Sequence, residues 1–305
     1  MSRPDTTRLH GSIVPLVTPF HDGHLDEDAL RRLVEFQIRH GSHGISVLGT
    51  TGEPTSLTPD ERERVMALAV EAAGGRVPVL VGTGSNNHDE TLRYTRLAER
   101  LGADGHLLIV PYYNKPSQRG LYEHFRRAAA ATSLPVVLYN IPGRSAVNLE
   151  PDTIAQLHAA CENIVGVKEA NPSLDQVSRV LARCGRDFLV YSGIETLCFP
   201  MLALGGAGHV SATANVAPER VARLYDLCAA GRWDEARDLH YELLELNEVL
   251  FLETNPGPVK AALGLMGLID PEVRLPLAPV SEATAERVHA ALDRLGLLQP
   301  VAATG

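Results

Sequence analysis

The chain predicts a closed (β/α)8 TIM barrel with a C-terminal all-helical appendage. Three observations carry that expectation. Short apolar, β-branched runs alternate eight times with stretches whose apolar residues recur at helical spacing. No Pro/Gly/Ser-rich linker interrupts the alternation. The eight units fill about 220 residues, a barrel's worth, and the remainder reads as helix. An open doubly wound sheet is the alternative reading of the same alternation. The expected division is residues 1–230 as the barrel carrying the site and residues 231–305 as a helical region packed on it.

Residues 12–17 (SIVPLV) make the first strand, followed by a turn at Asp22-Gly23. Leu30, Leu33, Val34 and Ile38 mark a helix that Gly41 ends. Residues 44–48 are the second strand, and the loop Gly49-Thr50-Thr51-Gly52-Glu53 follows. Thr58 caps the next helix, Pro59 suits its first position and Glu61 completes a capping box. Residues 77–81 form the third strand, ahead of Gly82-Thr83-Gly84, and Tyr94, Leu97, Ala98 and Leu101 share a helix face. Residues 105–110 run into Pro111-Tyr112-Tyr113-Asn114-Lys115-Pro116, and residues 118–132 are helical. Residues 135–139 are the fifth strand, and residues 151–161 the helix after it.

The sixth strand is Ile164-Val165-Gly166-Val167-Lys168-Glu169-Ala170. Leu174, Val177 and Leu181 follow on a helix, then a strand at 188–191 and a helix at 195–204 that accommodates Pro200. Residues 208–211 are the eighth strand, and residues 218–230 the eighth helix. Beyond it, Leu239, Leu243, Leu246 and Leu250 line one helix face, and residues 281–295 form another helix.

A net charge of −9 argues against a nucleic-acid footprint and leaves no basic patch for an anionic membrane. The first ten residues lack an apolar signal region, and no apolar run reaches the ~20 residues of a bilayer span. Cys161, Cys184, Cys198 and Cys228 include no C-x-x-C, so neither zinc nor a disulfide framework is indicated; they read as buried thiols of a reducing cytoplasm. Gly82-Thr83-Gly84 lacks the third glycine of a dinucleotide loop, and no P-loop occurs. No metal site and no cofactor are expected.

Only three lysines occur, Lys115, Lys168 and Lys260, so one at the end of an apolar strand calls for an explanation. Burial there disfavours the ammonium and keeps the amine free to attack a carbonyl. The plain alternative is a structural ion pair with Glu169. Barrel chemistry sits at the C-terminal strand ends. Those ends collect Thr50, Thr51, Tyr112, Tyr113, Tyr139, Arg144, Lys168, Ser192, Gly193, Val210 and Ser211. They supply an amine, phenols for proton transfer, backbone N–H groups for an anion and an arginine for a carboxylate. That set suits Schiff-base chemistry on a 2-oxo acid. Each group also has a bland reading: a rim tyrosine, a turn-capping threonine, an arginine paired with its own chain.

Taken together and in order, the motifs resemble the dihydrodipicolinate synthase family within the N-acetylneuraminate lyase superfamily. They are Gly49-Thr50-Thr51-Gly52-Glu53, the twin-tyrosine loop, Tyr139-Asn140-Ile141-Pro142-Gly143-Arg144 and Gly166-Val167-Lys168-Glu169-Ala170. Residues 211–216 and Asn255-Pro256-Gly257-Pro258-Val259-Lys260 are also similar. The resemblance implies condensation of pyruvate with L-aspartate 4-semialdehyde, a step of diaminopimelate and lysine biosynthesis, through an imine on Lys168 and without a cofactor. It implies that Tyr139 relays protons and that Thr51 links it to Tyr113 from a neighbouring subunit. Backbone groups of Thr50 and Thr51 would hold the pyruvate carboxylate, Arg144 would take the semialdehyde carboxylate, and the Val210 carbonyl and Gly193 would lie near the lysine. A cytoplasmic homotetramer, a dimer of dimers, is implied as well.

The pattern is also departed from. Ile194-Glu195 stand where such synthases carry two acids, and Ser145-Ala146 where they carry Thr-Gly. Pro59 and Arg62 stand where the lysine-inhibited members carry histidines, which implies weak or absent inhibition by lysine. Two rivals follow: another pyruvate-dependent aldolase acting on a different carboxylated or sugar-acid aldehyde, and a non-catalytic 2-oxo acid sensor.

Overall fold

A computed structural model describes residues 3–298. Eight parallel strands close into a barrel: β1 (Gly11–Pro15), β2 (Gly44–Val47), β3 (Val79–Gly82), β4 (Gly105–Ile109), β5 (Val136–Asn140), β6 (Ile164–Glu169), β7 (Leu189–Ser192) and β8 (Gly208–Val210). Each pairs with its neighbour in sequence. β8 returns to β1, with Gly11 opposite Gly208 and Ile13 opposite Val210, so the open-sheet alternative falls. Strands covered on both faces read as continuous apolar runs rather than as alternating ones. The strands show this: β1, β2, β5 and β6 are buried at every position.

The outer ring is α1 (Glu27–Arg39), α2 (Pro59–Ala73), α3 (His88–Arg100), α4 (Gln118–Ala129), α5 (Pro151–Ala160), α6 (Leu174–Cys184), α7 (Cys198–Ala203) and α8 (Pro218–Ala229). Thr58 and Glu61 form the expected capping box, with Oγ1 accepting from Glu61 N at 3.2 Å and the carboxylate accepting from Thr58 N at 2.9 Å. The fourth helix stops at Ala129 rather than at 132, because Asn163 Nδ2 donates to the carbonyls of Ala129 and Thr132 and caps the end there.

Three further helices follow: α9 (Trp233–Val249), α10 (Gly257–Leu265) and α11 (Glu282–Arg294). Leu239, Leu243, Leu246 and Leu250 are buried in one apolar cluster with Leu33, Val47, Leu224 and Leu227. The appended helices therefore share the layer between sheet and helices. A separate cluster fills the barrel interior, including Ile13, Leu80, Leu107, Val137, Tyr139 and Tyr191. No helix among the described residues is long and apolar enough to cross a membrane.

One expected turn gains flanking strands, and one expectation about burial is corrected. Asp22-Gly23 is the tip of a hairpin, Phe20–His21 against His24–Leu25, whose two-residue arms are too short to show strand periodicity. Both tip residues have positive φ, as a two-residue hairpin turn requires. The four cysteines are free, but only Cys198 and Cys228 are buried; Cys161 and Cys184 are half-buried. Desolvation still pushes all four thiols up, Cys184 and Cys228 to about 11.

Gly82 and Gly84 are explained by contact. A Cβ on Gly82 would stand 2.2 Å from the Leu48 carbonyl oxygen, and one on Gly84 2.6 Å from Ile109 N. Leu48 itself is buried in a left-handed conformation, φ +58°, directly before the threonine loop. Gly82→Ala is therefore expected to lower stability by ~1–3 kcal/mol in thermal unfolding. Gly143→Ala, where the new methyl meets open space, is expected to stay within ~0.5 kcal/mol of the parent.

Candidate active site

The β5–β6 register sets Tyr139 opposite Lys168, and the pleat turns both side chains into the barrel. Lys168 is 5% exposed and Tyr139 3%. The Lys168 Nζ lies 4.3 Å from the Tyr139 ring centroid, within cation–π range. Gly193 makes room for the lysine: a Cβ there would come within 2.9 Å of Lys168 Cε. Val210, buried at the end of β8, borders the same interior. Tyr191 shares the level of Lys168 in the β6–β7 register, but its hydroxyl donates to the Leu9 carbonyl and is structural.

Glu169 points the opposite way. Its carboxylate, 1% exposed, accepts from Asn140 Nδ2 (2.8 Å), Gln176 Nε2 (2.8 Å) and Asn171 N (2.9 Å). Burial pushes this carboxyl up to about 7 against those hydrogen bonds. The ion-pair alternative for Lys168 thus fails on strand alternation. Among the described residues no carboxylate pairs with Lys168.

The threonine loop begins as a 3-10 turn, Thr50–Gly52. Successive side chains of such a turn diverge by about 120°, so only one threonine can face the phenol. That one is Thr50, whose Oγ1 lies 3.4 Å from the Tyr139 hydroxyl. This corrects the expected link through Thr51: its Oγ1 instead accepts from Asn255 Nδ2 at 3.0 Å. Arg144 sits on the loop after β5 and donates through one guanidinium nitrogen to the Asn255 carbonyl at 3.2 Å. Thr50, Tyr139, Arg144, Asn255, Tyr112 and Arg62 are among the residues around a cavity of about 270 Å³. Tyr113 is not brought to this site in its own chain. It is 89% exposed with φ +74°, at the outer tip of the twin-tyrosine loop.

Asn255 escaped the reading of single residues, as did the buried pair behind it. Lys260 Nζ lies 2.5 Å from Glu53 Oε1, and both side chains are almost fully enclosed. Desolvation lowers the Lys260 pKa and the Glu53 charge opposes it. Glu53 adopts φ +50° and also accepts from Arg274 N at 3.3 Å. A lone charge in the otherwise apolar α10 sequence was the available signal for Lys260. The two departures near the mouth are also placed. Ile194 packs on the interior cluster, while the buried Glu195 accepts from Ala212 N at 2.7 Å and burial pushes its carboxyl up. Ser145 Oγ donates to Ile141 and Val147 carbonyls, and Ala146 takes φ +57°. Among the described residues no three His, Cys, Asp or Glu side chains gather as a metal site.

Comparison with known proteins identifies the family. The profile of the dihydrodipicolinate synthetase family matches residues 8–295. The chain is 52% identical to the 4-hydroxy-tetrahydrodipicolinate synthase of Syntrophobacter fumaroxidans, over 95% of this chain and 100% of that protein. It is 51% identical to the same-named enzyme of Pelobacter propionicus, over 94% and 99%. The crystal structure of dihydrodipicolinate synthase from Aquifex aeolicus superposes with a TM-score of 0.94 at 44% identity, covering 95% and 100% of the two chains.

Glu169 yields a pH prediction. Its folded pKa lies above the ordinary 4.5, so the folded state holds this proton more tightly than the unfolded chain. The contribution is full below pH 4.5 and is lost as pH rises through about 7. A displacement of this size is worth on the order of 3 kcal/mol. Glu169→Gln keeps a neutral group in place, so its stability relative to wild type should climb between pH 5 and 8. Taking the difference between the two proteins cancels His106 and His209, whose burial pushes them down to about 4 and whose contribution runs oppositely.

Proposed function

The chain belongs to the dihydrodipicolinate synthetase family, and from that premise we propose that it condenses pyruvate with L-aspartate 4-semialdehyde to 4-hydroxy-tetrahydrodipicolinate through an imine on Lys168. The observation that carries this reading is the enclosed Lys168 amine beside the Tyr139 phenol, with no carboxylate in ion-pair contact with it among the described residues. A structural lysine so deep would be paired, as Lys260 is.

Nζ adds to the pyruvate carbonyl carbon and water leaves, giving a cationic imine. That cation is the electron sink, so the methyl group can lose a proton to an adjacent base without an external cofactor. The resulting enamine attacks the aldehyde carbon and forms the new C–C bond. The amine of the semialdehyde then closes the ring on the imine carbon, and Lys168 departs as the free amine. Tyr139 carries protons at the imine, passing them through the Thr50 hydroxyl. Backbone N–H groups of Thr50 and Thr51 receive the pyruvate carboxylate, with Gly193 and the Val210 carbonyl beside the amine. Arg144 takes the second carboxylate with the N–H groups that Asn255 leaves free. Tyr113 completes the relay in a second copy, in keeping with its outward, exposed position. The working form is then a homo-oligomer, a dimer of dimers, in the cytoplasm, with residues 1–230 carrying the chemistry and residues 231–305 packed against it.

The test is condensation of the two substrates coupled to an NADPH-dependent reductase for the product. Lys168→Ala should abolish turnover, and borohydride with pyruvate should label Lys168 in the wild type alone. Tyr139→Phe should lose ~10²–10⁴-fold in turnover with the fold intact. Turnover by Lys168→Ala at the wild-type rate would sink the reading. Labelling without condensation would leave the imine and move the acceptor to another carboxylated or sugar-acid aldehyde.

Lysine is expected to inhibit weakly or not at all. Arg62 puts a fixed guanidinium, held by the Pro54 carbonyl at 2.8 Å and stacked 4.9 Å from the Tyr94 ring centroid, where the resemblance gives the lysine-inhibited members a histidine. Titration with millimolar lysine should leave the rate near its starting value; strong inhibition at low ligand would overturn this.

A further inference from the structure

The segment Asn255-Pro256-Gly257-Pro258-Val259-Lys260 is a sequence motif to which the proposed chemistry gives no step of its own. It reaches the site from the appended helices. At one end Lys260 is locked to Glu53 by the enclosed ion pair; at the other Asn255 contacts both carboxylate-binding regions. Its side chain meets Thr51 and its backbone carbonyl meets Arg144.

We propose that Asn255 is a positioning residue that aims the Thr51 hydroxyl proton at the pyruvate carboxylate and holds Arg144 at a fixed distance from it. The proposal rests on the Lys168 imine reading above. A threonine hydroxyl has one proton and two lone pairs. Asn255 Nδ2 donates to Thr51 Oγ1 at 3.0 Å and so occupies a lone pair. The proton must then point elsewhere, and among the described residues Thr51 Oγ1 donates to nothing. Asn255 Oδ1 is buried without a partner, so the amide's side-chain hydrogen bond is this one alone. The enclosed Lys260–Glu53 pair holds the segment against the loop that carries Thr51, so the amide cannot drift from the hydroxyl it orients.

The experiment is borohydride trapping of the Lys168 imine across a pyruvate titration, with KM measured for both substrates. Asn255→Ala should raise the pyruvate concentration for half-labelling roughly tenfold, the worth of one hydrogen bond to a charged group. KM for the semialdehyde should stay within about twofold, because Arg144 is held by a backbone carbonyl that the substitution keeps. Thr51→Val should show the same loss, and the double variant should lose no more than either single one. Should Asn255→Ala fail to fold, Asn255→Leu carries the same test, being close in size, uncharged and lacking the N–H donor. An unchanged titration, equal losses in both KM values, or additive losses in the double variant would each sink the positioning role while wild-type trapping stands. A wild type that traps no pyruvate would remove the imine itself, and this proposal with it.

Discussion

Closure of the sheet is the constraint on which the rest depends. A strand in a closed barrel has two faces and no edge, so each side chain faces either the interior or the helical layer. Lys168 and Glu169 are neighbours in sequence, yet this division separates them completely. One becomes an enclosed amine beside a phenol. The other becomes a carboxyl held by the amides of Asn140 and Gln176. The same pleat and register deliver Tyr139 to Lys168 without any hydrogen bond between them. The proposed reactive pair is thus placed by the backbone ladder rather than by mutual attraction, and is organised without a ligand.

The scarcity of lysine proved an informative signal, and its outcome is instructive. Of three lysines, Lys168 and Lys260 are buried and Lys115 is exposed. The two buried ones embody the two explanations available for such a residue. Lys260 is matched by Glu53 inside the protein, the arrangement that a buried charge ordinarily needs. Among the described residues Lys168 has no carboxylate in contact, only the more distant charge of the buried Glu195. One chain therefore contains both the structural and the chemically poised case, and the partner, not the burial, distinguishes them.

What the sequence made legible was governed by local periodicity. Apolar runs, helical spacing, the Thr58–Glu61 cap and the order of the loop motifs all lie within a few residues, and the barrel and Lys168 follow from them. What it hid depended on direction or distance. Thr50 and Thr51 are adjacent and chemically equal, and only the twist of a 3-10 turn decides which faces Tyr139. Gly82 looked like a fragment of a nucleotide loop, whereas its missing Cβ makes room for the Leu48 carbonyl. Asn255 and Thr51 stand 204 residues apart, beyond any windowed pattern.

That separation has a consequence for how the molecule comes into being. Synthesis runs from the N-terminus, and long-range contacts form only after both partners exist. The threonine loop is made early, but Asn255, Lys260 and Arg274, which grip it, are made late. An emerging chain can lay down strand after strand while its threonine loop still lacks these anchors. The contacts that complete the proposed site are therefore the last that the nascent polypeptide can form, and a message cut short after the eighth helix would lack all three anchors.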